Sequence, residues 1–315
     1  MNKMKVGLRM NKVIVIIGPT ASGKTAVSIE LALLADGEIV SADSMQIYKY
    51  MDIGTAKPDK IEKKGVPHYL IDEKYPDEEF SVAAFKDLAE KYIRQILQKG
   101  KIPIVVGGTG LYISSLINNI DFCHNQSDPE IRQKYLKLAE AKGGKYLHDL
   151  LCTIDRESYE RIHPNDIKRL ARALEVYEIT GKPLSEHHEA SRIHPPEFEY
   201  RIFGLRMDRD KLYERINKRV DKMIENGLID EVRKLMEMGY DKCSVAMQGL
   251  GYKEILSYLR GETTFEEAVY ILKRDTRRFA KRQLTWFRRM ENVTWIDIEN
   301  DFDPLAVAKK IIVEL

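Results

Sequence analysis

The sequence predicts an α/β fold in which a parallel β-sheet is flanked by helices and interrupted by an all-helical inserted domain. A buried apolar run at 13–17 leads directly into a glycine-rich turn and then into a helix. Two more apolar strands, at 38–40 and 102–106, each end in a polar or glycine-rich turn. A stretch with helical periodicity and no strands then precedes a last strand at 200–205. The predicted domain boundaries are therefore a first core segment at 1–120, a helical insert at 121–199, and the rest of the core at 200–315.

The glycine-rich turn after the first strand is a phosphate-binding loop. It matches the spacing G-x-x-x-x-G-K-[ST] and lies between a strand and a helix, as that motif requires. Its residues are Gly18, Pro19, Thr20, Ala21, Ser22, Gly23, Lys24 and Thr25. The backbone N–H groups of such a loop and the following helix N-terminus cradle phosphate oxygens. Lys24 adds a positive charge, and the Thr25 hydroxyl is placed to hold Mg²⁺. The loop predicts a P-loop NTPase-like sheet that binds a polyphosphate or a diphosphate.

Composition indicates the setting in which the protein works. The formal net charge of the 315 residues is +2, so a nucleic-acid surface would have to be local. The cysteines, Cys123, Cys152 and Cys243, have no paired spacing, which favours reduced thiols in a cytosolic protein over a structural zinc. No apolar stretch approaches the ~18–20 residues needed to cross a bilayer. We therefore expect a soluble cytoplasmic protein that does not enter membranes.

The turns that follow the strands carry the candidate catalytic group. Ligands of open parallel sheets bind beyond the carboxyl ends of the strands, so Asp43 and Thr109 should face the phosphate cradle. The strand at 102–106 ends in glycines rather than in the acidic residue of a motor ATPase. Asp43 is then the one well-placed carboxylate, and it could accept a proton from an incoming nucleophile. The alternative is that Asp43 only caps the turn after its strand.

The segment between the third strand and residue 200 is predicted to be helical. A helix opens at Asp128-Pro129-Glu130, shorter helices follow near 145–152 and 158–162, and a stronger helix covers 167–177. Three histidines of this segment suggest a metal site, but no carboxylate or thiol spacing supports one. We therefore predict that His187, His188 and His194 are solvated loop residues.

Arginine is concentrated after residue 200, which points to a phosphate-rich partner. Arg215 and Arg219 are four residues apart on one predicted helix and should point together. A second predicted helix, 264–290, carries a single-sign run of cations against Asp275 alone. Its members are Lys273, Arg274, Arg277, Arg278, Lys281, Arg282, Arg288 and Arg289. A solvated face is the ordinary reading of such a run, but this density suits nucleic-acid phosphates. The aromatic side chains of Tyr252, Trp286 and Phe287 would be available for the bases.

Seven stretches distributed over nearly the whole chain resemble the tRNA dimethylallyltransferase (isopentenyltransferase) family, bacterial type. They are GPTASGKT at 18–25, SADSMQIY at 41–48, GGTGLY at 107–112, NDIKRLARALEVYEITGKP at 165–183, RINKRVDKMIENGL at 215–228, QGLGYKE at 248–254 and KRQLTWFR at 281–288. The resemblance implies transfer of a dimethylallyl group from dimethylallyl diphosphate to N6 of adenosine 37, beside the anticodon of tRNA. The phosphate-binding loop would hold the diphosphate of the donor. The zinc-finger extension of eukaryotic relatives is missing, consistent with the cysteine count.

The resemblance also implies roles for individual residues. Asp43, Thr20 and Arg219 form the expected catalytic set, with Asp43 receiving the proton of the adenine amine and Arg219 joining the loop in binding the diphosphate. Mg²⁺ on Thr25 is the expected cofactor. A larger set is expected to contact tRNA: Asp43, Ser44, Met45, Gln46, Thr109, Arg132, Lys168, Arg169, Leu170, Ala171, Arg172, Gln248, Gly249, Leu250, Gly251, Tyr252, Lys253, Lys281, Arg282, Gln283, Trp286 and Arg288. The expected partners are the anticodon stem-loop, clamped on one side by the helical insert, and dimethylallyl diphosphate, bound by a monomer.

Three other functions remain open on the sequence. An isopentenyltransferase that acts on free adenine nucleotides would share the fold but would not need the basic helix or the insert. A small-molecule kinase that uses ATP in the same cradle fits the context of Asp43 and the GGTGLY turn poorly. A non-catalytic RNA-binding protein leaves the phosphate cradle unexplained.

Overall fold

A computed structural model describes residues 11–120, 127–190, 195–242, 245–299 and 302–315. Its sheet has six strands in the order β3-β2-β4-β1-β5-β6, and every neighbouring pair is parallel. The strands are β1 (Lys12–Ile17), β2 (Gly37–Ser41), β3 (His68–Tyr69), β4 (Ile102–Gly107), β5 (Glu199–Arg206) and β6 (Val293–Asp297). The α/β class predicted from the sequence is confirmed.

Helices fill the connections between these strands. They are α1 (Lys24–Ala35), α2 (Val82–Gln98), α3 (Gly110–Ile117), α4 (Pro129–Lys142), α5 (Gly144–Ile154), α6 (Arg156–Arg161), α7 (Ile167–Thr180), α8 (Leu184–Ala190), α9 (Arg209–Glu225), α10 (Leu228–Glu237), α11 (Tyr252–Leu259), α12 (Phe265–Phe287) and α13 (Pro304–Val313). Side chains of Ser81, Asp128, Asp208 and Thr264 accept N–H groups in the first turns of α2, α4, α9 and α12, which fixes where those helices begin.

The chain divides into two compact units, and the larger consists of residues 1–114 and 197–315. Its core is formed where β1, β4 and β5 meet the helices, and the five apolar side chains from Val13 to Ile17 are at most 1% exposed. Strand β1 pairs with β4 at one edge and with β5 at the other, so both neighbouring strands fix the position from which the loop starts. This arrangement places the phosphate-binding loop at the centre of the sheet's carboxyl edge.

The smaller unit, residues 115–196, is helical wherever it is regular between 127 and 190. Its core is a compact apolar cluster in which Leu147, Leu151 and Leu170 are fully buried. The side chains of Asp128 and Asp166 cap the first turns of α4 and α7, and α7 ends at Gly181 in a left-handed conformation. The division of the chain at 121–199 remains a prediction.

Two strands of the sheet are absent from the sequence interpretation. Strand β3 is two residues long and pairs only with β2, and β6 pairs only with β5. The strand predicted as the third of the chain is therefore β4. Within the described residues, no helix is long and apolar enough to cross a membrane. Cys152 is an unpaired thiol, whereas Cys123 and Cys243 lie outside the described residues.

Candidate diphosphate site and active site

The phosphate-binding loop has the geometry of an anion cradle. Gly23 adopts a left-handed conformation at φ 86° and precedes α1 without supplying a side-chain cap. The first N–H groups of α1 are therefore available to an anion. Ala21 is also left-handed at φ 63°, a conformation that costs a non-glycine residue free energy and is held by its surroundings. Ser22 is fully buried, and its Oγ has no hydrogen-bond partner within the described structure.

Two cations and a carboxylate meet at this cradle. Burial and the positive charge of Arg219 lower the pKa of Lys24 to about 7, while the negative charge of Asp43 opposes the shift. Burial also lowers the pKa of Arg219, and the negative charge of Asp43 opposes this shift as well. Among the described residues, the Arg219 guanidinium has no hydrogen bond or ion pair. Two poorly neutralised cations beside a phosphate-binding loop form a site for a multiply charged anion.

Arg215 and Arg219 have different surroundings although they lie one turn apart on α9. Arg215 Nε donates to the Ala21 carbonyl oxygen at 3.0 Å and lies over the Phe302 ring. Arg215 therefore braces the left-handed residue of the loop. Arg219 is the arginine whose charge acts on Lys24 and is acted on by Asp43.

The residues present suit a divalent cation shared with a bound diphosphate. Thr25 is the second residue of α1, is partly exposed, and its hydroxyl makes no hydrogen bond in the described part of the protein. No group of three or more histidine, cysteine or acidic side chains that could hold a metal occurs among the described residues. A metal here would therefore be held by the Thr25 hydroxyl and by phosphate oxygens, with water completing its shell.

Asp43 is oriented by the turn that it begins. Its Oδ1 accepts the N–H groups of Met45 at 2.9 Å and Gln46 at 3.4 Å. This is the capping role that the sequence left open, and it occupies one carboxylate oxygen. Within the described residues, Oδ2 accepts no hydrogen bond, so the same turn presents an oxygen to a ligand. The capping interpretation of Asp43 is therefore observed, and its role as a base stays a prediction that this geometry leaves open.

The turn after β4 is tied to the Asp43 turn. The Ser44 N–H donates to Thr109 Oγ1 at 3.1 Å, and the Thr109 N–H donates to the Ala42 carbonyl oxygen at 3.3 Å. The approach is close enough that a Cβ on Gly107 would lie 2.1 Å from the Ala42 oxygen. Glycine is required at this position, and Thr109 is fixed beside Asp43 as the sequence predicted from the strand ends.

Helix α12 contacts both the turn after β4 and the phosphate-binding loop. Gln283 Oε1 accepts the Thr20 N–H at 2.8 Å, and Gln283 Nε2 donates to the Gly108 oxygen at 2.9 Å. One turn further along, Trp286 packs on Gly110 and donates to Ser114 Oγ at 3.0 Å. Gln283 is 6% exposed, so its side chain is a link inside the protein rather than part of the expected tRNA surface.

Part of the basic face of α12 is neutralised by neighbouring residues. Lys273 pairs with Asp221, Arg274 and Arg278 share Asp275, and Arg277 donates to Asn217. The interpretation that Asp275 alone opposes the cations is wrong, because Asp221 on α9 lies within 2.5 Å of Lys273. The exposed cations toward the end of the helix are Lys281, Arg282, Arg288 and Arg289.

The expectation that three aromatic side chains are available for bases is wrong for two of them. Phe287 is fully buried and Tyr252 is 1% exposed, because both lie on the inner faces of their helices. Only Trp286 of the three, at 37%, is exposed. Tyr252 instead packs on Gly54 and donates its hydroxyl to Glu231.

The 248–253 segment lies beside the Asp43 turn. Met45 packs on Gly249, where a Cβ would approach Met45 Cε to 2.5 Å. Gln248 is exposed, Leu250 and Lys253 are partly exposed, and Gly251 is buried in a left-handed conformation. Glu254 holds Gly251 by accepting its N–H at 2.8 Å, and burial raises the pKa of that carboxyl. Glu254 is a residue that sequence reasoning missed, although its place three positions after Gly251 is a capping-box spacing.

The expected tRNA-binding residues of the helical unit divide into exposed and internal groups. Lys168 and Arg169 are exposed, whereas Leu170 and Ala171 are fully buried in the unit's core and have no accessible side-chain surface. Two further cations bind Glu175, a carboxylate with no exposed surface: Arg132 at 2.8 Å and Arg172 at 3.1 Å. Desolvation opposes ionisation of Glu175, but hydrogen bonds from Arg132, Asp128 N–H and Arg172 outweigh it and lower its pKa.

The histidines of the insert belong to no metal cluster in the described structure. His187 Nε2 lies 3.0 Å from Thr180 Oγ1, so it forms a local hydrogen bond. The side chain of His188 and all of His194 lie outside the described residues.

The fold and the loop define a P-loop protein of the α/β class. A family model described as IPP transferase matches residues 46–290. The chain belongs to the IPP transferase family.

Relatives and solved structures agree with this membership. The chain is 64% identical over 294 residues to the tRNA dimethylallyltransferase of Acetivibrio thermocellus, covering 93% of this chain and 94% of that protein. It is similar to the crystal structure of the tRNA isopentenylpyrophosphate transferase of Bacillus halodurans, with 44% identity, a TM-score of 0.71, and 96% and 97% of the two chains covered. A eukaryotic dimethylallyltransferase that acts on tRNA is 32% identical with a TM-score of 0.81, covering 96% of this chain and 78% of that one.

Proposed function

We propose that this protein is an enzyme that transfers a dimethylallyl group from dimethylallyl diphosphate to N6 of adenosine 37 in tRNA. Membership of the family and the activity in the names of the relatives support the reaction class. The observation that supports the proposal is that Lys24 of the phosphate-binding loop is close enough to Arg219 and Asp43 for both charges to act on its pKa. Two cations there suit a departing diphosphate, and the carboxylate suits the amine that replaces it.

The leaving group is stabilised by the loop. As the allylic C–O bond breaks, negative charge builds on the diphosphate, and the N–H groups at the start of α1 are already aimed at it. Lys24 and Arg219 add positive charge in a desolvated setting, where each interaction is stronger than in water. The Thr25 hydroxyl and the diphosphate oxygens would hold Mg²⁺, which when bound supplies further charge neutralisation to the leaving group.

Asp43 orients the nucleophile and accepts its proton. The lone pair of the adenine amine is conjugated with the ring, so the amine must be positioned to attack. Asp43 Oδ1 is held by the Met45 N–H, which leaves Oδ2 to accept a hydrogen bond from the amine. The C–N bond forms as the C–O bond breaks, and the proton of N6 passes to the carboxylate and then to solvent. Thr20, a residue of the phosphate-binding loop, is proposed to belong to the catalytic set.

The RNA is bound by exposed cations and by the Trp286 ring. Lys281, Arg282 and Arg288 are exposed on or just after α12 and would contact phosphates. Adenosine 37 must leave its stack to reach Asp43, at a cost of roughly a few kcal/mol that contacts to neighbouring nucleotides offset. Lys168 and Arg169, which are exposed in the helical unit, would also contact phosphates. We further propose that the enzyme works as a monomer in the cytoplasm.

The test is a transfer assay with labelled dimethylallyl diphosphate. We expect label in an anticodon stem-loop that contains adenosine 37, and none in a stem-loop with purine riboside at that position, which lacks the amine. AMP in place of RNA should remain unlabelled. Labelled AMP would instead identify a free-nucleotide transferase, and phosphate transfer from labelled ATP would identify a kinase.

A further inference from the structure

One peptide group of the phosphate-binding loop is held from both ends. The Pro19 carbonyl oxygen accepts from Lys24 Nζ at 2.7 Å. The Thr20 N–H of the same peptide donates to Gln283 Oε1 at 2.8 Å. A peptide group is planar, so turning its N–H necessarily turns its C=O. The orientation of the carbonyl that holds Lys24 is therefore tied to Gln283.

We propose that Gln283 is a positioning residue that sets the place of the Lys24 ammonium through the Pro19–Thr20 peptide. This inference rests on the proposed function and deepens it, because it assigns the side chain to the diphosphate half of the site. Gln283 touches neither substrate. Its amide lies inside the protein between α12, the phosphate-binding loop and the turn after β4.

The amide has one orientation that satisfies both of its partners. Its oxygen must face the Thr20 N–H, and its NH₂ must face the Gly108 carbonyl oxygen, so a flipped amide would place like groups together. Gly108 makes this approach possible, because a Cβ there would lie 2.3 Å from Gln283 Nε2. The glycine of the turn and the amide of α12 thus form one fitted contact.

This contact joins the RNA-binding helix to the donor site. Lys281 and Arg282 directly precede Gln283 and are exposed, whereas Gln283 faces inward. A shift of α12 would reach the Pro19–Thr20 peptide through the Gln283 hydrogen bond to the Thr20 N–H, and from there the Pro19 carbonyl oxygen that accepts from Lys24. Gln283 therefore connects the basic surface of α12 to Lys24 through one side chain and one peptide group.

The experiment measures binding of inorganic pyrophosphate and of the stem-loop by calorimetry. Q283L keeps a branched side chain but has no polar atoms, so it removes both hydrogen bonds, and we expect about tenfold weaker pyrophosphate binding at pH 7. Stem-loop affinity should stay within twofold of the wild type. Thr285→Ala, on the exposed side of the same helix, is the matched control and should leave both affinities unchanged. Weaker stem-loop binding with unchanged pyrophosphate binding in Q283L would overturn the proposal and make Gln283 an RNA contact.

A second variant separates positioning from general loss of structure. G108A displaces the Gln283 amide from the other side, so it should also weaken pyrophosphate binding several-fold. The double variant should bind pyrophosphate no more weakly than Q283L alone, because both changes break the same contact. Additive losses would overturn the proposal.

The same measurements keep this proposal apart from the proposed function. If the wild type binds pyrophosphate and the variants bind it equally well, Gln283 has no positioning role and the transferase assignment stands. If the wild type itself binds no pyrophosphate, the diphosphate site and the positioning role both fail.

Discussion

The Tyr252 hydroxyl donates a 2.7 Å hydrogen bond to Glu231 Oε1. The same carboxylate accepts the N–H groups of Asp52, Ile53 and Gly54 at 2.9, 2.8 and 3.1 Å. Glu231 on α10 and Tyr252 on α11 therefore hold the segment that follows the Asp43 turn. A carboxylate with four donors fixes that segment more firmly than its own irregular backbone could.

Removal of Glu231 should destabilise the protein. E231A leaves three backbone N–H groups and a buried hydroxyl without their acceptor, so we expect a loss of about 2–3 kcal/mol in the free energy of unfolding. Y252F removes one of the four bonds and should cost about 1 kcal/mol. Urea unfolding measures both. Glu237→Ala, exposed on the same helix, is the control. If E231A loses no more unfolding free energy than this control, Glu231 does not hold the segment at 52–54.

Asp43 should be needed for transfer and not for RNA binding. D43N keeps an acceptor for the Met45 N–H but cannot take up a proton. We expect D43N to slow single-turnover transfer about 10²–10⁴-fold, since positioned bases contribute that much. Stem-loop affinity should be unchanged. Single-turnover kinetics with saturating RNA checks the first point, and near-normal turnover of D43N would remove the carboxylate from the mechanism.

Donor binding should weaken as pH rises through about 7. The pKa of Lys24 is lowered to about 7 in the unliganded protein, chiefly by burial, so its charge is lost there rather than near 10.5. Binding of pyrophosphate by the wild type should therefore fall relative to K24R, which stays charged across this range. Calorimetry at pH 6, 7 and 8 tests this. Parallel pH profiles for the two proteins would contradict the assignment of Lys24.

Lys24 should also destabilise the folded protein at low pH. Its folded pKa of about 7 lies below the unfolded value of 10.5, so the unfolded state binds the proton more tightly. The free energy of unfolding should therefore rise as pH increases from 7 toward 10.5. The full destabilisation caused by burying the charged Lys24 is present below pH 7. K24M removes the buried charge and should raise the free energy of unfolding at pH 6 by about 1–3 kcal/mol. The gain should shrink at pH 9, and an equal gain at both pH values would refute this account.

The exposed end of α12 should supply salt-dependent RNA affinity. Neutralising Lys281 and Arg282 together should weaken stem-loop binding and reduce the slope of log K against log salt by about 1–2, as expected for two lost phosphate contacts. Pyrophosphate binding should be unaffected. Lys309 and Lys310, exposed on α13, provide a control pair with the same change in charge. If both pairs lower RNA affinity equally, net charge rather than the α12 surface is responsible.

The sequence predicted the centre of the sheet well because local pattern and burial agree there. The apolar run of β1, the loop after it and α1 are each defined by consecutive residues. Strand β3 could not be found in this way, because two residues carry no alternation and their strand character comes from pairing with β2. Strand β6 is partly exposed along its length and lacks the apolar run of a central strand.

The sequence predicted which residues surround the loop better than it predicted their contacts. The family resemblance placed Gln283 among the tRNA contacts, whereas its side chain is buried. The helical spacing of Ala280, Gln283 and Phe287 places all three on one buried face, which the cations around them obscure. The different tasks of Arg215 and Arg219 were not predictable either, since they depend on how α9 meets Ala21 and Asp43 in three dimensions.

The Phe302 ring lies against Gly23, where an added Cβ would come within 2.3 Å of its Cζ. The Arg215 Cζ lies 5.5 Å from the centroid of the same ring. Phe302 precedes α13, and that helix packs on α1. The far end of the polypeptide is thus one wall of the catalytic cradle. Variants of the protein that stop after β6 would lack this wall. Truncations made for crystallisation or tagging should therefore keep the last fourteen residues, which begin with Phe302.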